Sequence, residues 1–390
     1  MSDYFDVIIA GGSISGLLAA REITDQGNKS VIVMEEDPEI GTPQHCGGLV
    51  SMDGIKNLGV IPTSNMIEGK IKQANIFSPS QSLHLNTEGQ NIIAIDRRLL
   101  DKHVALQAQR NGVEIRTRCS VRSVSVDHDQ QDSSQIIKTS EGDFSCKFFV
   151  DARGVASIIQ KNRNGILQSA QYEVYASWIE NGKVEVQFDR ERYPGFFAWI
   201  IPTGYGVGKV GVAGKGINAA NALKSYMDGK GEKYSVVRKV YAPICVSGPI
   251  ENFISDGQKV VVGDAAGQTK PTTAGGIYSC GMAGILAGRA ISNAFEENDL
   301  NVLWNYQQSW LDIFQEEFNK MLLARRILER IDNKTLDQLF QSVSESRIRE
   351  ICEIGEFDFH TAALTKIFGS RQGIKILKAI LGNEIRRLLF

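Results

Sequence analysis

The chain has 390 residues, 42% of them hydrophobic and 23% charged, and a formal net charge of -2. This is globular composition with enough apolar residues for a large core in two or three substructures, and it lacks the basic excess of a nucleic-acid binder. Its six cysteines (Cys46, Cys119, Cys146, Cys245, Cys280, Cys352) form no CxxC pair and no zinc-like spacing. The N-terminus has no basic leader and no apolar run reaches the roughly eighteen residues that cross a bilayer, so a reduced, cytoplasmic protein without a metal is expected.

In chain order, YFDVIIAGG is a short apolar run ending in glycine, and SISGLLAAREITDQG then takes helical spacing through Leu17, Leu18, Ala20 and Ile23. SVIVMEE follows and closes a βαβ unit, with Glu35 about twenty residues past the glycines, the spacing at which a carboxylate reaches a ribose. A pyrophosphate sits on such a helix N-terminus because free N–H groups and the helix dipole favour negative charge there. Gly11 and Gly16 hold the first and third places of GxGxxG, with Gly12 and Ser15 between them, while Ser13 replaces the middle glycine. Taken alone, the segment also fits a glycine turn in another α/β fold.

The next run, PQHCGGLVS, sets Cys46 between a turn and two glycines, where neither a core nor a disulfide calls for it, with His45 beside it. IDRRLLDKHVALQAQRNGVEI reads as a helix opening near Arg97, either a solvated helix-start charge or a guanidinium aimed at a ligand. TRCSVRSVSV is a strand, and Cys119, Cys146 and Cys280 read as buried small hydrophobes in strands or, for Cys280, on a helix. From SAQYEVYASWI to GVGKVGVAG, period-two alternation broken at Asn181-Gly182 and Pro194-Gly195 predicts an antiparallel sheet.

VVVGDAAGQTKPTTAGGIYSCGMAGILAGRAIS repeats strand, turn and helix, with Gly263 and Asp264 at the strand end and Gly275, Gly276 and Ile277 opening the helix. Asp264 either accepts from the hydroxyls of a ribityl chain or caps its own turn. Residues 301 to 355 show helical spacing. The last stretch, GIKILKAILGNEIRRLLF, mixes Ile374, Leu377, Ile380, Leu381 and Leu388 with Lys375, Lys378, Arg386 and Arg387. That pattern suits packing on its own domain or lying on an anionic membrane surface.

The N-terminal fingerprint, the Arg97 segment, FFVDARGV with Asp151, Arg153 and Gly154, and GDAAGQTKP with GGI resemble, in this order, the flavoprotein family that includes the aromatic hydroxylases. The resemblance implies FAD, held by Gly11, Gly12, Ser13, Ser15, Gly16, Glu35, Cys46, Gly47, Leu49, Arg97, Val121, Gly263, Asp264, Gly275, Gly276 and Ile277, with Val121 meeting the adenine through its backbone. Within that group, PQHCGGLVS is similar to the PxxCxG motif of the geranylgeranyl reductases, matched by Pro43, Cys46 and Gly48. Their YxWxFP signature appears as FAWIIP, with Phe197, Trp199 and Pro202 in place as substrate lining and Val210-Gly211 following. Phe197 stands for tyrosine, which removes a hydroxyl, Ile201 stands for phenylalanine, and PLTGGGI appears as PTTAGGI with Ala274 for a glycine.

The implied fold class is α/β (α+β). Residues 1–55, 90–160 and 250–300 form a discontinuous Rossmann-like FAD-binding domain, 56–89 and 161–249 an inserted antiparallel-sheet substrate domain, and 301–390 a helical C-terminal region. The implied activity is FAD-dependent saturation of C=C bonds in geranylgeranyl chains of membrane lipid precursors such as digeranylgeranylglycerophospholipids. Cys46 is the catalytic candidate, as an acid, a redox partner of the flavin or a small polarizable wall. The electron donor is open between NADPH, NADH and ferredoxin, and peripheral contact with the inner membrane face fits a lipid substrate. A flavin monooxygenase and a non-catalytic prenyl-chain or flavin binder are the alternatives.

Overall fold

The computed structural model describes residues 3–25, 27, 29–127, 134–160, 164–368 and 375. Of the basic and apolar stretch 373–390 only Lys375 is among them, so its reading as a membrane-surface or packed segment lies outside the described residues.

The N-terminal run folds as strand Asp3–Ala10, helix Ile14–Asp25 and strand Val31–Met34, the two strands parallel with Val7 opposite Val31. Asp3–Ala10 also pairs in parallel with Asp143–Asp151, which carries Lys259–Val261 on its far side, while Val31–Met34 pairs with Glu114–Arg116. A parallel sheet needs both faces covered, which is why these strands are near-continuous runs of Val, Ile and Phe. Val7 and Ile9 face the core shared with helices Ile14–Asp25 and Ile277–Glu296. Ile8 and Ala10 face the other way, onto Val121, Ile137 and Phe149. Cys146 lies in strand Asp143–Asp151 as expected, but Cys119 sits in the turn before strand Val121–Asp127 and is buried from there.

A seven-stranded sheet runs in the order Tyr234–Cys245, Ile166–Ala176, Val207–Gly214, Ala198–Gly204, Lys183–Gln187, Gln73–Phe77, Ser82–Asn86. Its pairings are antiparallel except that of Gln73–Phe77 with Lys183–Gln187, which is parallel. Strand Ile67–Ile71 does not enter that sheet: it pairs with Ile92–Ile95, which also holds Leu49–Ser51, so a three-stranded sheet ties the two units together.

Helix Trp304–Arg330 has 27 residues and so spans about 40 Å. Its first half buries Trp310, Phe314 and Phe318 in the core of the dinucleotide unit, and its second half buries Leu323 and Ile327 against Leu83 and Phe188 of the large sheet. The helical region is thus a spine joining both units. Among the described residues, no helix is long and apolar enough to cross a membrane.

Candidate active site

Gly11 has φ +107°, and a Cβ there would lie 2.5 Å from the Ala152 carbonyl oxygen, so the turn passes too close for any side chain. Glu35 folds back on this turn: one carboxylate oxygen accepts from Gly12 N–H at 2.7 Å and the other from Asp37 N–H at 2.9 Å. Burial pushes its carboxyl above the ordinary value, and those two N–H bonds oppose the rise. Ser13 is exposed and Ser15 is buried, where its Oγ stands 2.6 Å from the place a Gly263 Cβ would take. That approach sets the second nucleotide segment on the first turn of helix Ile14–Asp25.

The Asp264 carboxylate accepts from the Thr269 hydroxyl and, at 3.5 Å, from the Cys280 thiol, which ties the strand end to the loop and helix beyond it. Burial, reinforced by Asp264, pushes the Cys280 thiol well up. Gly276 precedes helix Ile277–Glu296 and, as a glycine, offers the first-turn N–H groups no capping side chain. The Val121 carbonyl already accepts from Arg153 at 2.7 Å, so that atom serves the protein itself. Asp151 is fully buried and accepts from Ser157 Oγ (2.7 Å), Ile158 N–H (2.9 Å) and Ile159 N–H (3.1 Å), which makes it the organiser of the loop after its strand.

In the cysteine loop, Gly48 has φ +84° and a Cβ there would lie 2.2 Å from the Ile95 carbonyl oxygen. The half-buried Cys46 sulfur accepts from Gly48 N–H at 3.4 Å. Asp96 caps helix Arg97–Arg110 through Arg98 N–H and Leu99 N–H, which makes Arg97 its first residue. Arg97 is not a solvated helix-start charge. Its side chain is only 12% exposed, its Nη2 donates to both Asp101 oxygens at 2.9 and 3.1 Å, and Cys46 lies close enough to act on its charge. Burial works to lower the guanidinium pKa, but Asp101 and Cys46 outweigh it and hold Arg97 above its usual range.

His45, the sequence neighbour considered for tuning Cys46, is lowered by burial and raised in part by Asp37. The charged side chain that meets Cys46 is Arg97. From the sheet side, Lys209 Nζ reaches the Gly47 carbonyl at 3.5 Å and Glu68 at 2.5 Å, and Arg238 donates to Gln44 (3.1 Å) and Glu173 (2.6 Å). The Ile201 Cδ1 stands 2.6 Å from where a Gly47 Cβ would be. Of these supports, only Asp101 left a local signal, its i,i+4 spacing from Arg97; Lys209 and Arg238 sit in strands whose partners are far away in sequence.

Phe197 and Trp199 share one apolar cluster with Phe188, Phe196 and Ala274, and Phe196 stacks on Phe197 with centroids 4.1 Å apart. The Trp199 indole donates to Gln171 Oε1 at 3.1 Å and lies flat against Gly211, where a Cβ would be 2.3 Å from the ring. The Val210-Gly211 step after FAWIIP is therefore the floor of the tryptophan. Pro202 differs: strand alternation puts it with Ala198 and Ile200, which enter the opposite core, so it is not brought together with Phe197 and Trp199. A cleft enclosing about 450 Å³, open solvent included, lies between the sheet and the helices and is lined by Phe188, Tyr193, Phe196, Phe197, Thr272 and Leu336 among others.

These residues fit FAD. The glycine turn leaves a cradle no side chain fills, the helix start at Gly276 lacks a side-chain cap, and two buried donors near the Cys46 loop, Arg97 Nε and Gln44 Nε2, have no partner within the protein. A parallel-sheet dinucleotide unit with this pocket defines a flavoprotein. The chain belongs to the FAD binding domain family, whose pattern matches residues 4–233. FAD is its cofactor and oxidoreduction its class of chemistry.

The chain is 29% identical to a digeranylgeranylglycerophospholipid reductase of Methanocaldococcus jannaschii over 89% of this chain and 92% of that one. It is 28% identical to digeranylgeranylglycerophospholipid reductase 2 of Methanothermobacter thermautotrophicus over 90% of this chain and 94% of the relative. Its fold matches the crystal structure of a geranylgeranyl bacteriochlorophyll reductase-like protein from Thermoplasma acidophilum with a TM-score of 0.85 at 21% identity, covering 97% of this chain and 99% of that one.

Proposed function

We propose that this chain is an FAD-dependent reductase that saturates C=C bonds of geranylgeranyl chains in membrane lipid precursors, with digeranylgeranylglycerophospholipids as the favoured substrates. The observation that carries the reading is the setting of Cys46, between the buried Arg97–Asp101 pair and a loop seated on Ile201 of the aromatic strand. Bound FAD, once reduced, supplies a hydride.

An isolated trisubstituted alkene has no carbonyl to polarise, so the protein must provide a proton donor and a dry cleft. Cys46 delivers its S–H proton to the alkene carbon that does not receive the hydride, and the Arg97 guanidinium stabilises the charge left on sulfur. Phe196, Phe197 and Trp199 exclude water and leave the chain no polar partner. Pyridine nucleotide or ferredoxin restores the electrons, and peripheral contact with the inner membrane face gives access to the lipid.

Anaerobic incubation of dithionite-reduced holoenzyme with a geranylgeranyl lipid tests the reading, with a mass gain of two hydrogens per saturated double bond expected. NADPH oxidation driven by an aromatic acid and oxygen, without saturation, would make it a hydroxylase; bound FAD without any turnover would make it a binder. Cys46→Ala keeps FAD and slows saturation by about 100-fold. An unchanged rate assigns Cys46 to packing.

A further inference from the structure

Lys270, in the turn just before Pro271, is buried, and the pattern of the chain gives no structural reason for a charge there. Its ammonium donates to the Phe357 carbonyl at 3.0 Å, lies 3.7 Å from Asp358 Oδ1, and sits 4.4 Å from the Phe357 ring centroid. Asp358 in turn accepts from the Ser51 hydroxyl. Residues 355–360 thus form a strap between helices Glu345–Ile354 and Thr361–Phe368 that crosses the loop before helix Ile277–Glu296. Phe359 anchors the strap by stacking on Phe314, and His360 bonds to Thr272 at 2.7 Å.

Lys270 and Asp358 are the charged side chains lining a small cleft whose other walls include Leu49, Val50, Gly275 and Ile277. Leu49 and Gly275–Ile277 are among the residues to which the flavin resemblance assigns the cofactor. The Lys270 Cε and Nζ stand 3.0 and 3.6 Å from where a Gly275 Cβ would be, so the ammonium packs on the glycines that lead into helix Ile277–Glu296. Burying an ammonium is costly, and a methionine would fill the same volume without that cost. Burial lowers the Lys270 pKa, and Asp358 is the first group that restores it.

Resting on the flavin reading above, we propose that Lys270 and Asp358 are an opposed pair of positioning charges that set the reduction potential of the bound flavin. Two-electron reduction adds negative charge to the ring system. In a site with little water, a fixed cation at the ring's edge favours the reduced form and a fixed carboxylate favours the oxidised form. The strap thereby couples the C-terminal helices to the electron affinity of the cofactor.

The test is a dithionite titration of FAD-loaded protein against a reference dye, with FAD affinity of each variant measured by fluorescence titration of the apoprotein. K270M lowers the two-electron potential and D358N raises it, each by about tenfold in the reduced-to-oxidised ratio, about 30 mV; K270R stays near the parent. Shifts of both variants in the same direction, or no shift in either with FAD bound, overturn the proposal and leave the strap a structural clamp. Should K270M not fold, the D358N potential decides alone, a fall or no change counting against the proposal. Parent protein that binds no FAD would instead sink the flavin reading itself.

Discussion

At the glycine-turn end of the proposed flavin site, Gly12 and Glu35 meet across 23 residues of one βαβ unit, whereas at the strap end Thr272 meets His360 across 88 and Ser51 meets Asp358 across 307. The first end is backbone geometry. Its glycine turn is closed by its own strand and a neighbouring parallel strand, and Glu35 bonds N–H groups a few ångströms away. The second end is made of side chains brought together by a strap, and its charges are held by partners that local structure cannot supply. The contrast teaches that the glycine turn is held by backbone within one βαβ unit, whereas the strap depends on side chains from distant parts of the chain.

The sharpest way to break that contrast is to put a side chain where backbone passes backbone, at Gly11 in the first turn or at Gly48 in the cysteine loop. Gly11→Val and Gly48→Val each place a Cβ within 2.5 Å of a backbone carbonyl, with φ in the left-handed region. Each should destabilise the protein by at least about 3 kcal/mol and strip it of flavin, as read by thermal melts and visible absorbance. Full flavin occupancy in either variant would mean that the turn is as adaptable as the strap.

Next in size is Arg97, beneath the cysteine loop. Arg97→Met leaves the buried Asp101 carboxylate without its partner and should cost about 3 to 5 kcal/mol in urea unfolding. The double variant R97M/D101L should recover most of that loss, since a matched apolar pair replaces a matched ionic one. Failure to recover would show that the Cys46 loop, and not the pairing, needs the guanidinium.

A smaller effect tests the strap by pH. Burial, reinforced by the Lys270 charge, drives His360 down to about 3. The unfolded chain, with His near 6.5, therefore takes up the proton first as pH falls. The His360 contribution is fully present above pH 6.5 and is lost progressively toward pH 3. Between pH 7 and 4, His360→Gln should show a flatter decline of the urea midpoint than the parent. An equal slope would mean that His360 titrates normally and the strap is open to water.

The smallest effect belongs to Ala274, a non-glycine residue at φ +54° in the loop next to the strap. Ala274→Gly relieves about 1 kcal/mol of backbone strain and loses a methyl packed near Phe197, so the net gain should be about 0.5 kcal/mol in chemical denaturation. A loss of stability would rank the Phe197 contact above the strain.

What the sequence determined by itself is the part of the protein whose cause is local. Val and Ile runs ending in glycine specify the parallel strands and their turns, helical spacing after Ser13 and after Gly276 specifies the two helices that follow those turns, and PQHCGG already contains the glycine that lets the loop pass Ile95. Period-two alternation gives the large sheet and places Trp199, although a one-residue step puts Pro202 on the other face. Tertiary structure alone decided which charges are buried together. Arg97 meets Cys46 because a helix start docks under a loop fifty residues earlier, Lys209 and Arg238 reach that loop from strands of another sheet, and Lys270 finds Asp358 only when the C-terminal strap closes. A side chain's burial and its partner depend on which faces meet after folding, and no periodicity in the chain encodes that.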